Sequence, residues 1–193
     1  MHKLEFRRQI LHILYGFGLL FLYHFNVIDN RVLLGMIIGG AITSLMVKRE
    51  KLSPVRKVLK LFEREHHLER FPGRGVLFFT IGAFLTLVLF KRDVAFAGIM
   101  ILSVGDAVSN IVGRHFGKIK TKLNPEKNIE GNLAGILIAI PFAYYFFPNI
   151  YAVTAASFVG MFLEIPAIRI FNFEIDDNLL IPVGAAFTLT LFT

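Results

Sequence analysis

Four clusters of polar residues interrupt a very apolar chain. The stretch LSVGDAVSNIVGRHFGK, residues 102–118, carries Asp106, Asn110 and Arg114 at i, i+4 and i+8. That spacing puts a carboxylate, an amide and a guanidinium on one helix face. Carboxylate and amide oxygens are hard ligands of the kind Mg²⁺ takes, one or two carboxylates at a time, with substrate phosphates completing the shell. Lys118, Lys120 and Lys122 add positive charge beyond the helix end, and Gly105, Gly113 and Gly117 leave room for a close backbone or ligand. A purely structural alternative is an Asp106–Arg114 pair that ties helices together. Ionisable groups in membrane-type segments are functional as a rule, which favours the metal-and-phosphate reading.

The other clusters add to this chemistry. In PEKNIEGNLAG, residues 125–135, Lys127 and Glu130 flank the start of an apolar run, with Gly131 and Gly135 in small-residue positions. A helix dipole explains Glu130 at a helix start, though not the neighbouring Lys127. In EIPAIRIFNFEIDDNLLIP, residues 164–182, Glu164 ends one run, and Asp176, Asp177 and Asn178 open the next. Helix capping accounts for one of those three, and the run of acids equally suits a cation. In EFRRQILHIL, Glu5, Arg8 and His12 fall on one helical face. Arg8 alone reads as a topology signal and His12 alone as a buried neutral ring.

These residues need a scaffold, and the scaffold is membrane-like. Hydrophobic residues make up 55% of 193, well above a soluble domain, and they fall in blocks. The blocks are Ile10–Val27, Val32–Val47, Val76–Phe90, Val94–Val112, Leu133–Phe147, Ile150–Leu163 and Leu179–Phe192. Asp106 is their one charged residue at neutral pH. The expected fold is all-α: a single polytopic helix bundle of about seven transmembrane helices, without a separate soluble domain. The blocks 133–147 and 179–192 are short for a span and draw their polar neighbours toward the bilayer. One of them could instead be re-entrant.

The loops orient the bundle. With a cytoplasmic N-terminus, the inner face carries Lys3, Arg7 and Arg8, nine Lys or Arg in 48–74, five in 113–128, and Arg169. The outer face carries Arg31, Lys91 and Arg92. The positive-inside rule then places the C-terminus outside and all four polar clusters at the cytoplasmic face. The net charge of +7 thus reads as membrane orientation and phosphate binding; nucleic-acid binding explains it poorly, because the charges flank spans. Ser53-Pro54 suggests a helix start with Ser53 as N-cap. Val55, Val58, Leu59 and Phe62 then form one face, with Arg56, Lys57, Lys60 and Arg64 on others, as in an amphipathic helix on the inner leaflet or a solvated connector. FPGRG, residues 71–75, ends that loop with turn formers.

Missing patterns narrow the chemistry. Without cysteine the chain has no disulfide, thiolate nucleophile or Cys-ligated metal. It also lacks a Walker A loop, a kinase H-R-D set, a G-x-G-x-x-G fingerprint and a G-x-S-x-G elbow, so a nucleotide site here is not one of the common soluble folds. Carboxylates for metal and cations for phosphate, embedded in an apolar bundle, suit phosphoryl transfer to a lipid. That reaction asks mainly for positioning and charge stabilisation.

The motifs resemble those of the membrane-embedded CTP-dependent lipid kinases: dolichol kinase, phytol kinase and the CTP-using diacylglycerol kinase, themselves similar to phosphatidate cytidylyltransferases. EFRRQILHI resembles the family's E-x-x-R-K-x-x-H, through Glu5, Arg8 and His12. GDAVSNIVGRHFGK is similar to its G-D-A-x-x-x-x-x-G-R-x-x-G, through Gly105, Asp106, Ala107, Gly113, Arg114 and Gly117. KNIEGNLAG resembles K-[ST]-x-E-G, through Lys127, Glu130 and Gly131, and EIDDNLLIP resembles D-D-N-x-x-x-P, through Asp176, Asp177, Asn178 and Pro182. The chain departs at Gln9, where the family has Lys, and at Asn128, where it has Ser or Thr.

The resemblance implies an integral membrane kinase that moves the γ-phosphate of CTP to the hydroxyl of a long isoprenoid alcohol of the dolichol or polyprenol type. It implies Mg²⁺ held by Asp106, with Asn110, Glu130 and Asp177 assisting. Asp106, Glu130 and Asp177 are the expected catalytic residues. Arg8, Gly113, Arg114, Gly117, Lys118 and Lys127 are expected on the nucleotide phosphates, with His12 and Asn178 positioning the alcohol. A CTP:phospholipid cytidylyltransferase uses the same nucleotide, metal and membrane and remains open. A cation-coupled transporter with Asp106 on its path is the alternative outside enzymes. It calls for acids at mid-membrane and on both sides, where these cluster at one face.

Overall fold

The computed structural model describes residues 2–63, 65–170 and 173–193. Its helices are α1 (His2–His24), α2 (Asn30–Lys48), α3 (Ser53–Leu59), α4 (Glu65–Arg70), α5 (Arg74–Leu89), α6 (Arg92–Met100), α7 (Ala107–Phe116), α8 (Ile129–Phe146), α9 (Ile150–Leu163) and α10 (Asp177–Thr190). A π-helical turn, Ile101–Asp106, joins α6 to α7 into one rod, and a two-residue antiparallel ladder pairs Arg169–Ile170 with Phe173–Glu174. Each of the seven apolar blocks is thus helical. Regular helix is what an apolar environment demands, because every backbone N–H and C=O must be satisfied within the segment.

The α6–π–α7 rod, Arg92–Phe116, is the buried axis. From Val94 to Ala107 every side chain lies inside, which an all-round apolar helix requires. Helices α1, α5, α8, α9 and α10 pack around it. The backbones of the rod and α8 nearly touch. A Cβ on Gly131 would stand 2.4 Å from the Ser109 carbonyl, and one on Gly135 would stand 2.6 Å from the Gly105 carbonyl. Two buried hydroxyls fold back onto their own helix, Ser103 donating to the Ile99 carbonyl and Thr86 to the Gly82 carbonyl. Arg92 donates to the Tyr23 and His24 carbonyls and closes the C-terminal end of α1, where carbonyls lack helical partners.

The outer helices turn large apolar side chains outward: Leu34, Ile38, Ile42 and Leu45 on α2, Leu137 on α8 and Phe187 on α10. In water each would forfeit about 25 cal/mol per Å² of exposed apolar surface; in lipid there is no such cost. Among the described residues, three helical segments are long and apolar enough to cross a bilayer: Asn30–Lys48, Arg92–Phe116 and Ile129–Phe146. Arg74–Leu89 and Ile150–Leu163 are apolar but shorter.

Two local expectations need correction. Ser53 is the first helical residue of α3 and Leu52 takes the cap position, without a side-chain cap bond. The backbone leaves Leu52 with φ −125° and ψ 63°, a geometry that puts Pro54 at the second position. The helix ends at Leu59, so Phe62 follows it in a turn, and Arg64 lies outside the described residues. The FPGRG turn is as expected, with Gly73 at φ +78° capping α5.

Candidate active site

A cavity of about 450 Å³ opens where α1, α3, α5, α7 and α10 come together. Its polar floor includes His12, Asp106, Asn110, Lys127, Glu164 and Asp177. Its apolar wall is formed by Val58, Leu59, Phe62, Val76 and Phe79. One chamber thus offers both a place for charge and a place for hydrocarbon, the composition of a site for an amphiphile.

The floor is built around Lys127. Its ammonium lies 3.9 Å from Asp106 Oδ1 and 3.8 Å from Asp177 Oδ2, and it is hydrogen-bonded to Glu164 Oε1 and, at 3.4 Å, to Asn110 Oδ1. Burial works against that charge, and the carboxylates of Glu164, Asp106 and Asp177 outweigh it, holding the lysine well above its ordinary value. Burial likewise pushes the Glu164 carboxyl up to about 8 against the pull of Lys127, with Asp106 and Asp177 adding to the rise. The Lys127 side chain comes from a tight loop. Thr121 donates to the Asn124 carbonyl at 2.7 Å, Lys127 N to the same carbonyl at 3.0 Å, and Thr121 N to the Lys127 carbonyl at 3.0 Å.

Asp106 closes the π turn inside the rod, where α7 begins. π turns recur at functional sites because the extra residue re-aims side chains and frees a backbone carbonyl. Here the His12 ring is hydrogen-bonded to the Leu102 backbone within that turn. The other ring nitrogen, Nε2, is buried, has no hydrogen-bond partner, and lies 3.7 Å from Asp106 Oδ2. Asn110 donates to Asp106 Oδ1 at 2.8 Å, so the i, i+4 face read from the sequence is real. Glu164 also accepts from Ser109 at 3.1 Å, leaving its buried Oε2 without a partner.

A second group surrounds Glu5, which is 6% exposed. Arg8 binds both its oxygens at 2.9 Å, Gln9 donates to Oε1 at 2.9 Å, and Arg114 approaches Oε2 at 3.3 Å. At the opposite wall Asp176 caps α10, accepting from Asn178 N, and binds Arg74 Nε at 2.9 Å. Burial, then repulsion from Asp177, pushes the Asp176 carboxyl up to about 6, with Asn178 and Arg74 pulling the other way.

The structure therefore brings together Arg8, His12, Asp106, Asn110, Arg114, Lys127, Asp177 and Asn178 around one cavity. It does not bring Glu130 there. The Glu130 carboxylate accepts from the backbone N–H groups of Lys118 and Ile119 at 3.0 Å and fastens the loop after α7. Gly113 and Gly117 face Asn128 rather than the cavity: Asn128 Nδ2 donates to the Gly113 carbonyl at 2.7 Å, and a Cβ on Gly117 would stand 2.5 Å from Asn128 Cγ. Lys118 is exposed outside the cavity lining. Sequence reasoning gave Glu164 and Arg74 no role. Glu164 carried one signal, an acid at the end of an apolar run, whereas Arg74 pairs with a residue 102 positions away.

Among the described residues no three His, Asp or Glu side chains form a ready metal cage. The donor set nevertheless fits Mg²⁺. Carboxylate and amide oxygens of Asp106, Asn110 and Asp177 converge on one point, and Mg²⁺ typically takes one or two protein carboxylates and leaves the rest to phosphate and water.

Fold and site together define an all-helical membrane protein with an acid-and-cation cavity at one end of its buried axis. The chain is related to CTP-dependent lipid kinases. It is 30% identical to the uncharacterized protein MJ1137 of Methanocaldococcus jannaschii, over 96% of this chain and 92% of that one. It is 28% identical to CTP-dependent diacylglycerol kinase 1 of Schizosaccharomyces pombe over 64% of this chain, and 24% identical to Phytol kinase 1 of Arabidopsis thaliana over 72%. The matched regions span 62% and 50% of those two kinases. No protein-family model matches the chain, and no solved structure matches it.

Proposed function

We propose that this protein is a CTP-dependent lipid kinase that phosphorylates the hydroxyl of a long-chain isoprenoid alcohol, of the dolichol or polyprenol type, at the cytoplasmic membrane face. The observation that carries this reading is the cluster of Asp106, Asp177, Glu164 and Lys127 on the floor of a chamber walled by apolar side chains. Relatives named for diacylglycerol, phytol and farnesol support a lipid hydroxyl as acceptor, and two of the three are isoprenoid alcohols. All seven apolar helices cross the bilayer in this reading, α3 lies on the inner leaflet, and the C-terminus is outside.

Each residue has a task. Asp106, Asn110 and Asp177 hold Mg²⁺, which when bound neutralises charge on the nucleotide phosphates. Arg8, Arg114 and Lys127 bind those phosphates as cations. His12 and Asn178 orient the alcohol, whose tail leaves between α1, α3 and α5. The hydroxyl oxygen attacks the γ-phosphorus, the bond to CDP breaks, and the hydroxyl proton passes to the Asp106–His12 pair. Glu130 acts at a distance, by fixing the loop that carries Lys118 and Ile119.

The test is purified protein with labelled CTP, ATP or UTP against polyprenol, phytol and diacylglycerol. The kinase reading expects CDP and a phosphorylated alcohol, with CTP preferred. Pyrophosphate with a CDP-lipid would identify a cytidylyltransferase instead. Cation flux in proteoliposomes without CTP turnover would replace both by a transporter.

A further inference from the structure

Lys127 stands where the metal would have to go. Its Nζ reaches Asp106 Oδ1, Asp177 Oδ2 and Asn110 Oδ1 within 3.9 Å, and these are the oxygens assigned to Mg²⁺ above. Two cations cannot share that set, because they would lie within about 4 Å of each other in a weakly screening site. The lysine is the movable partner: its ammonium rides on a flexible four-carbon stem, whereas the short aspartates are held by helical backbone, Asp106 at the π turn and Asp177 in the first turn of α10. The cluster also has unused acceptor capacity aimed inward. Glu164 Oε2 is fully buried and unpartnered, as is His12 Nε2.

We propose that Lys127 is a tethered stand-in for the divalent cation. It neutralises the acids in the resting protein and gives them up only when nucleotide phosphates arrive with the metal and draw the ammonium toward themselves. Free metal is thereby kept out, and the buried carboxylates are never left without a countercharge. The nucleotide step rests on the kinase reading; the exclusion of free metal does not.

The experiment is Mn²⁺ binding to the full chain in detergent, without nucleotide, followed by electron paramagnetic resonance. Lys127→Met is expected to bind Mn²⁺ at least about tenfold more tightly than the wild type. Adding Asp106→Asn to that variant is expected to remove the gain. Because the chain has no cysteine, Lys127→Cys can be alkylated with 2-bromoethylamine to rebuild an ammonium at this one position, which is expected to expel the metal again. Wild-type protein that binds free Mn²⁺ tightly without nucleotide overturns the stand-in, and that titration needs no variant to fold. CTP turnover is measured separately. A wild type that phosphorylates lipid yet binds free Mn²⁺ tightly keeps the function and loses this inference.

Discussion

Arg114 on α7 and Glu5 on α1 meet across the helix interface, Nη2 to Oε2 at 3.3 Å. Glu5 also holds Arg8 and Gln9, so one buried carboxylate fixes the directions of two guanidinium groups at the mouth of the cavity. Glu5→Gln keeps the shape and removes the charge. Bonds to charged groups are worth ~1.5–3 kcal/mol, so the KM for CTP is expected to rise about tenfold or more while kcat changes less. Steady-state kinetics at several CTP concentrations measure the split, and an unchanged KM would detach these arginines from the nucleotide.

Asp106→Asn is expected to lower lipid phosphorylation by about a hundredfold or more, since one group there serves both metal and His12. Asn110 and Lys127 still have a side-chain oxygen to meet, so the fold is expected to survive. The comparison is turnover against the thermal midpoint; near-wild-type turnover would refute the metal assignment.

Gly82 on α5 lies against the Asn178 carbonyl, where an added Cβ would stand at 2.1 Å. That carbonyl lacks its helical donor because Pro182, four residues on, has no N–H. Gly82→Ala therefore pushes directly on the turn that presents Asp177. It is expected to cost ~1–3 kcal/mol and to reduce turnover with it. Thermal unfolding and activity read the two effects, and an unaffected variant would mean that α10 yields without cost.

Asp176, held up to about 6, binds a proton in the folded chain over a range where the unfolded chain has lost it. Its contribution favours the folded state at low pH and fades as pH rises through 6. Asp176→Asn is neutral at every pH and keeps an acceptor for the α10 cap. Its thermal midpoint is therefore expected to improve relative to the wild type between pH 5 and pH 7. Parallel melting curves at the two pH values measure this, and a constant difference would contradict the shift.

Much of the scaffold was legible. The block Ile150–Leu163 is a helix with those bounds, and Asp106 and Asn110 share a face because they lie one turn apart. The Asp-Asp-Asn run caps α10 with its first member, as N-cap chemistry suggests. Glu130 was misleading for a definite reason. An acid at a helix start looks the same whether it faces a cavity or a neighbouring loop, and here the loop amides of Lys118 and Ile119 take it.

By itself, then, the sequence determined the helices and the kinds of chemistry they carry, because hydropathy and 3.6-residue periodicity act within one segment. It could not determine which charges meet. The pairing of Arg74 with Asp176, the three carboxylates around one Lys127, and the π turn that aims Asp106 at His12 join residues far apart in the chain. They depend on how closely helices cross and how a loop folds back, and only tertiary packing sets those distances.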